Sequence, residues 1–195
     1  MKKKSKFRII LTCVGIALIV CAVGLFAYSQ IRTRIAKSRA KEIVAQLYSL
    51  MPEVTSGAPD DRSDPTMPML QIDGQDFVGI VEIPTYSKAL PIYGKWDASR
   101  VSKYPCRYLG SVYSDTLIIG GSDNDGQLDF VKEISNGDNI HITDTTGIRY
   151  KYVVFDINRT KDVSTQYLTK TDARLVLFAR NTYSLDYTVI YCSLA

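Results

Sequence analysis

The chain has 195 residues, 46% of them hydrophobic and 23% charged, which excludes a disordered or collagen-like protein and leaves room for one mid-sized domain with an appendage. Its net charge of +4 is unevenly spread: residues 1–50 hold ten Lys/Arg against one Glu, residues 51–75 one Arg against five acids, and residues 76–195 thirteen basic against fourteen acidic groups. A nearly neutral main body excludes a general nucleic-acid binder, which needs a basic face for phosphates, and one His with four scattered Cys excludes the common zinc patterns.

Residues 1–8 read as a short basic terminus with Lys2, Lys3, Lys4, Lys6 and Arg8. Residues 9–28 (IILTCVGIALIVCAVGLFAY) carry no charge. A helix of that length spans roughly 30 Å, the thickness of a bilayer core. The run is longer than a signal-peptide core and ends without a small-x-small cleavage site, so it reads as an uncleaved signal anchor. The positive terminus is expected in the cytoplasm and the rest of the chain outside the cell membrane, in a single pass.

Residues 29–50 are expected to form a juxtamembrane helix. Ile31, Ile35, Ile43, Val44 and Leu47 recur at helical spacing with no Gly or Pro between them. Its basic residues either meet anionic lipid headgroups or form a solvated stalk. Ser38 and Lys41 match a Ser-x-x-Lys pattern that stands alone, without companion motifs. Residues 51–75 hold four Pro and several acids and read as a linker.

From residue 76 short strand-like runs alternate with turns. The expected strands are 77–83, 89–93 (with Pro91, which suits a sheet edge), 116–119, 139–144, 149–158, 175–179 and 187–194. Residues 145–147 (TTG) read as a hairpin turn, and 128–134 as one or two helical turns. Seven or eight strands with little helix in residues 76–195 read as a closed or nearly closed β-barrel.

The order of these pieces resembles the sortases, the cysteine transpeptidases that attach surface proteins to Gram-positive cell walls, and the likeness is class-B-like. It rests on FVGIVEIP (77–84) for the family's Gly-x-Leu-x-Ile-Pro strand, LPIY (90–93) for Leu-Pro-Val-Tyr, and LDFVKEISNGD (128–138) for Phe-x-x-Leu-x-x-Leu-x-x-Gly-Asp. The resemblance covers residues 77–195. It implies a mostly β fold: a sortase-like eight-stranded barrel with short helices, behind one N-terminal transmembrane helix.

The family's chemistry uses a Cys nucleophile, a His acid and an Arg that stabilises the oxyanion. Carried over by position, the His place falls on Ser122 in IIGGSD (118–123), the Cys place on Arg180 just after LVLFA, and the Arg place on Tyr187, or on Asp186 if the loop slips by one. All three are substituted, so no catalytic residue is assigned, and Ser122, Arg180 and Tyr187 stand as candidate peptide-groove residues. Cys13 and Cys21 fall in the apolar span, and neither Cys106 nor Cys192 stands at the nucleophile place; an exported domain could oxidise the latter two to a disulfide. His141, between Ile140 and Ile142, reads as a surface strand residue. Asp123, Asp125 and Asp129 make a calcium-like loop without the bidentate Glu and read as a solvated turn. No cofactor and no metal are expected. The resemblance implies, as partners, sorting-signal peptides or surface proteins of the anchoring machinery, with membrane lipid around the N-terminal helix. The expected function is that of a catalytically degenerate sortase; the alternatives are a divergent active transpeptidase and a purely structural barrel.

Overall fold

The structure is a computed structural model and describes residues 2–57 and 65–195. The side chains of the basic cluster at residues 2–8, that of Cys13, and residues 58–64 of the expected linker lie outside the described residues. The chain divides into two units, Met1–Ala36 and Lys37–Ala195.

Residues 2–50 form one helix, α1 (Lys2–Leu50). In its first part Leu18, Ile19, Val20, Leu25 and Phe26 are all exposed. An 18-residue window in this helix reaches a mean hydropathy of 2.1, so it is long and apolar enough to cross a membrane. The expected junction between an anchor and a separate juxtamembrane helix carries no break, because nothing from residue 9 to residue 50 breaks a helix: both glycines, Gly15 and Gly24, stand alone and there is no Pro.

Among the described residues the second unit holds ten strands: β1 (Thr55–Ser56), β2 (Leu70–Ile72), β3 (Gln75–Ile83), β4 (Lys88–Tyr93), β5 (Cys106–Gly110), β6 (Leu117–Ser122), β7 (Asn139–Asp144), β8 (Ile148–Thr160), β9 (Leu175–Arg180) and β10 (Tyr187–Leu194). Eight of them close a ring in the order β3-β4-β5-β6-β9-β10-β8-β7, with β7 pairing back to β3. The pairs β4–β5 and β6–β9 are parallel and the other ring pairs antiparallel. The expected barrel is therefore present and closed. Closure removes the open edges a free sheet would expose.

Period-2 alternation sorts each strand between two surfaces. Inward residues such as Val81, Ile92, Leu117, Leu177, Tyr152 and Ile190 fill the barrel. Gly79 on β3 is required by the closing pair: a Cβ there would lie 2.3 Å from the Thr143 carbonyl oxygen of β7. Pro91, which has no N–H to give, lies where β4 has little partner on its far edge, since β5 meets β4 only at Tyr93↔Cys106. At the β7–β8 hairpin the buried Asp144 carboxylate accepts from Thr146 N (2.9 Å), Ile148 N (3.0 Å) and Tyr113 Oη (2.5 Å), which fixes the expected turn.

The outer face of β3–β4–β5 is covered by the end of α1. Ile43, Val44, Leu47 and Met51 pack on Phe77, Ile80, Tyr93, Tyr104 and Cys106. Of the helical repeat seen in the sequence, only Ile43, Val44 and Leu47 are buried; Ile31 and Ile35 stay exposed. The expected linker also joins the fold. Met67 is fully buried in the barrel core, β2 pairs with β3, and β1 pairs with β8. Arg39, one of the basic residues considered for lipid contact, pairs with Asp73 at 3.3 Å.

Cys106 and Cys192 are both free and buried, so the disulfide considered for them is not formed. Cys106 lies under α1 outside the ring, whereas Cys192 points into it, which puts the barrel wall between them.

Candidate functional site

The site is set by three adjacent strands, β6, β9 and β10. β9 reads LVLFAR and is buried on both faces until Arg180. That double burial is why its sequence is a continuous apolar run, as in parallel sheet interiors. Leu175, Leu177 and Ala179 face the barrel core; Val176 and Phe178 face outward, and by the same alternation so does Arg180. β6 and β10 match it row by row. Ile118, Val176 and Tyr191 form one outward row; Gly120, Phe178 and Val189 the next; Ser122, Arg180 and Tyr187 the last.

The structure thus brings Ser122, Arg180 and Tyr187 side by side, with Arg180 in the middle, although 58 positions separate the first two in the chain. Tyr187, not Asp186, is in register with Arg180. Asp186 lies in the β9–β10 loop, where its carboxylate accepts from Ser184 Oγ and from Asn181 Nδ2 (2.5 Å). Those bonds, Ser184's first, hold its carboxyl below the ordinary range.

The first two rows are roofed. On one side Trp96 lies 5.6 Å from Phe178 and 5.2 Å from Tyr108, ring centre to ring centre. Gly120 makes this possible: a Cβ there would sit 2.3 Å from Phe178 Cζ and 2.6 Å from Trp96 Cζ3. On the other side the β8–β9 connection contributes Leu168, Ala173 and Tyr167 from around the short helix α2 (Thr165–Leu168). Tyr187 packs its ring 6.2 Å from Phe178. The first two rows are thus buried beneath these side chains, Phe178 being 2% exposed, and the last row is left at the surface, where Arg180 is exposed and Ser122 and Tyr187 are half-buried.

Ser122 has no base. Its hydroxyl donates to Gln127 Oε1 (3.3 Å), as does its backbone N–H (2.5 Å). The same Gln127 amide donates to the Val101 carbonyl, tying the end of β6 to the segment that carries Trp96. Gln127 is buried, and an amide oxygen cannot remove a proton from a hydroxyl. Arg180 has only donors and stays charged.

The other candidates are elsewhere. His141 lies in β7, on the far side of the ring from β6, between Glu82 of β3 and Lys151 of β8. Burial and the nearby Arg149 lower its pKa. Burial pushes the Cys106 thiol up to about 11 and raises that of Cys192 as well, the reverse of an activated thiolate. Ser38 and Lys41 are exposed on α1. The acidic loop is dispersed among other partners: Asp123 accepts from Thr182 N (2.9 Å) and pairs with Lys132 (3.4 Å), and Asp129 pairs with Lys88 (2.8 Å). Among the described residues no group of three or more His, Cys, Asp or Glu is arranged to hold a metal.

Trp96, Tyr108, Phe178 and Gln127 were not singled out from sequence. Trp96 carried a weak signal as the only Trp of the chain in a polar stretch. Gln127 carried none, since its role depends on contacts to Ser122 and Val101 that only folding creates.

No protein-family model matches the chain, and a search of curated proteins finds no match. Solved structures do match. Sortase A from Corynebacterium diphtheriae aligns with a TM-score of 0.54 at 16% identity, over 84% of this chain and 84% of its own. Sortase C1 of GBS pilus island 1 aligns with a TM-score of 0.54 at 16% identity, over 83% and 84%. Sortase C from Clostridium perfringens, in a structure with the C-terminal cell wall sorting motif, aligns with a TM-score of 0.51 at 14% identity, over 62% and 71%. The fold is sortase-like.

Proposed function

We propose that this chain is a membrane-anchored, extracytoplasmic sortase-family protein that binds sorting-signal peptides, or a partner bearing them, and performs no transpeptidation. The observation that carries this reading is the row Ser122–Arg180–Tyr187: an exposed guanidinium stands mid-row, and among the described residues no thiol and no base lies beside it. Acyl transfer needs a nucleophile and something to take its proton. Arg180 can attack nothing, and Ser122 is bonded to an amide. Both sheltered thiols lie outside this row, Cys106 under α1 and Cys192 inside the barrel.

This surface suits an extended peptide. Trp96, packed against Phe178 and 40% exposed, can meet apolar side chains, and Arg180 can donate to carbonyl oxygens. One solved relative of this fold carries a sorting motif, which supports the peptide as the class of ligand. The same reading puts α1 across the membrane with lipid around it, residues 2–8 in the cytoplasm and the barrel outside, because Lys2, Lys3, Lys4, Lys6 and Arg8 precede the span.

The test uses the full chain in nanodiscs of phosphatidylcholine. Trp96 is the only tryptophan and packs against Phe178, two positions along β9 from Arg180, so its fluorescence is the readout. A Leu-Pro-Ala-Thr-Gly peptide is expected to shift it saturably and to be recovered uncleaved by mass spectrometry. Absence of a saturable shift overturns the binding half. Turnover that is lost on Ser122→Ala overturns the silent half in favour of a divergent transpeptidase. Protease added to intact protoplasts is expected to remove the barrel; a barrel protected until lysis reverses the orientation.

A further inference from the structure

Resting on the peptide-binding reading, we infer that the group anchoring the ligand is a carboxylate, held by Arg180, rather than an uncharged stretch of peptide. Arg180 is exposed, and among the described residues it takes part in no ion pair. The acids beside it in the fold are Asp123, which follows Ser122, and Asp186, which precedes Tyr187. Each is bound elsewhere. Asp123 is 3% exposed, accepts from Thr182 N (2.9 Å) and Thr182 Oγ1 (2.5 Å), and pairs with Lys132. Asp186 accepts from Asn181 and Ser184 within its own loop. The residues flanking Arg180 in the row, Ser122 and Tyr187, bring hydroxyls and no charge.

The site therefore presents an exposed cation with no ion-pair partner among the described residues, beside the aromatic wall that Phe178 forms with Trp96 and Tyr108. Next to such a wall a charge pair is screened less than in open water. A peptide carbonyl satisfies one or two of the five guanidinium N–H groups and leaves the charge. A carboxylate takes the fork in two parallel bonds and neutralises it. Two sources supply that group on a peptide: the free carboxyl of a chain end, or an acidic side chain within the motif.

Three ligands separate them on the full chain in phosphatidylcholine nanodiscs: acetyl-Leu-Pro-Ala-Thr-Gly as the free acid, the same peptide as the amide, and acetyl-Leu-Pro-Glu-Thr-Gly as the amide. With Trp96 fluorescence as readout, at least one carboxylate-bearing peptide is expected to bind tenfold or more tightly than the neutral amide. The advantage is expected to shrink as salt rises from 50 to 500 mM and to vanish in Arg180→Gln, a change at an exposed side chain that leaves the fold intact. An advantage confined to the free acid assigns the chain end; one confined to the Glu peptide assigns the side chain. Saturable binding with equal affinity for all three overturns the carboxylate anchor and leaves peptide binding standing. An advantage that persists in Arg180→Gln removes Arg180 from the role. No saturable binding by any of the three overturns the peptide-binding reading beneath it.

Discussion

Two outer faces of the barrel are covered in opposite ways. Over β3–β4–β5 the end of α1 lays Ile43, Val44 and Leu47 against Phe77 and Ile80, apolar on apolar. Over β6–β9–β10 the cover is a patchwork of Trp96, Tyr108 and the β8–β9 connection, and it stops short of the row that holds Ser122, Arg180 and Tyr187. The helix face is closed by a continuous element and contributes stability. The β6–β9–β10 face is closed by side chains from separate segments and leaves Arg180 exposed at its end. A barrel of this size can hold one face rigid and lend the other to a ligand because the two do not share side chains.

The largest test of this contrast removes the helix. A fragment of residues 76–195 keeps all seven expected strands and the eight-stranded ring from Asp76 on, but strips the cover from Phe77, Ile80, Tyr93 and Tyr104 and also loses β1, β2 and Met67. It is expected to aggregate or to melt without a cooperative transition, whereas residues 37–195 melt cooperatively and stay monomeric by size-exclusion chromatography. Equal melting of the two fragments would mean that the helix is an ornament on the barrel.

Next in size is Leu47→Ala. Leu47 is fully buried, and such truncations cost about 2–5 kcal/mol. Denaturant unfolding of the full chain should show that loss while Trp96 emission of the folded protein stays unchanged. Gly120→Val is the counterpart on the β6–β9–β10 face. Its side chain must displace Phe178 or Trp96, at a cost of about 1–3 kcal/mol. Here the emission of Trp96 should move to the red and the peptide response should fall, the reverse of the Leu47→Ala pattern. Emission shifts in both variants, or in neither, would dissolve the distinction between the faces.

The smallest expected effect lies on a third face. His141 has a folded-state pKa lowered by burial and by Arg149, with Glu82 acting against it. The unfolded chain therefore binds the proton more readily. The stability this residue contributes is full above its unfolded value of about 6.5 and is lost as pH falls below it. Melting temperature should drop slightly between pH 7.5 and pH 5.5, and His141→Gln should flatten that part of the profile. A drop of the same size in the variant would assign it to other groups.

Much of the barrel was legible as pattern. FVGIVEI, LVLFA and YTVIYCSL announce strands by their β-branched and aromatic residues, and Thr145-Thr146-Gly147 announces a hairpin because Gly147 must take a positive φ, 82° here. β5 was missed: CRYLG is five residues long, and a register shift between Arg107 and Leu109 breaks the alternation that would mark it. β2 was missed because three residues amid prolines look like linker, and it becomes a strand only by pairing with β3. Pro91, by contrast, reads correctly as a thinly paired edge, since its missing N–H limits where it can go.

By itself the sequence determined the apolar span in α1 and the periodicity of the main strands. Each of these is written in neighbouring residues, where spacing and residue type are enough. Only the tertiary structure decided that residues 40–51 and Met67 belong to the folded unit, because an amphipathic stretch says that a face will be buried but not against what. Only it put Ser122, Arg180 and Tyr187 in one row, since the β6–β9 pair joins segments more than fifty residues apart and a slip of one residue would turn Arg180 into the core. Only it gave Gln127 its hold on Ser122 and Trp96 its place on Phe178, contacts between loops and strands whose meeting depends on how the whole ring closes.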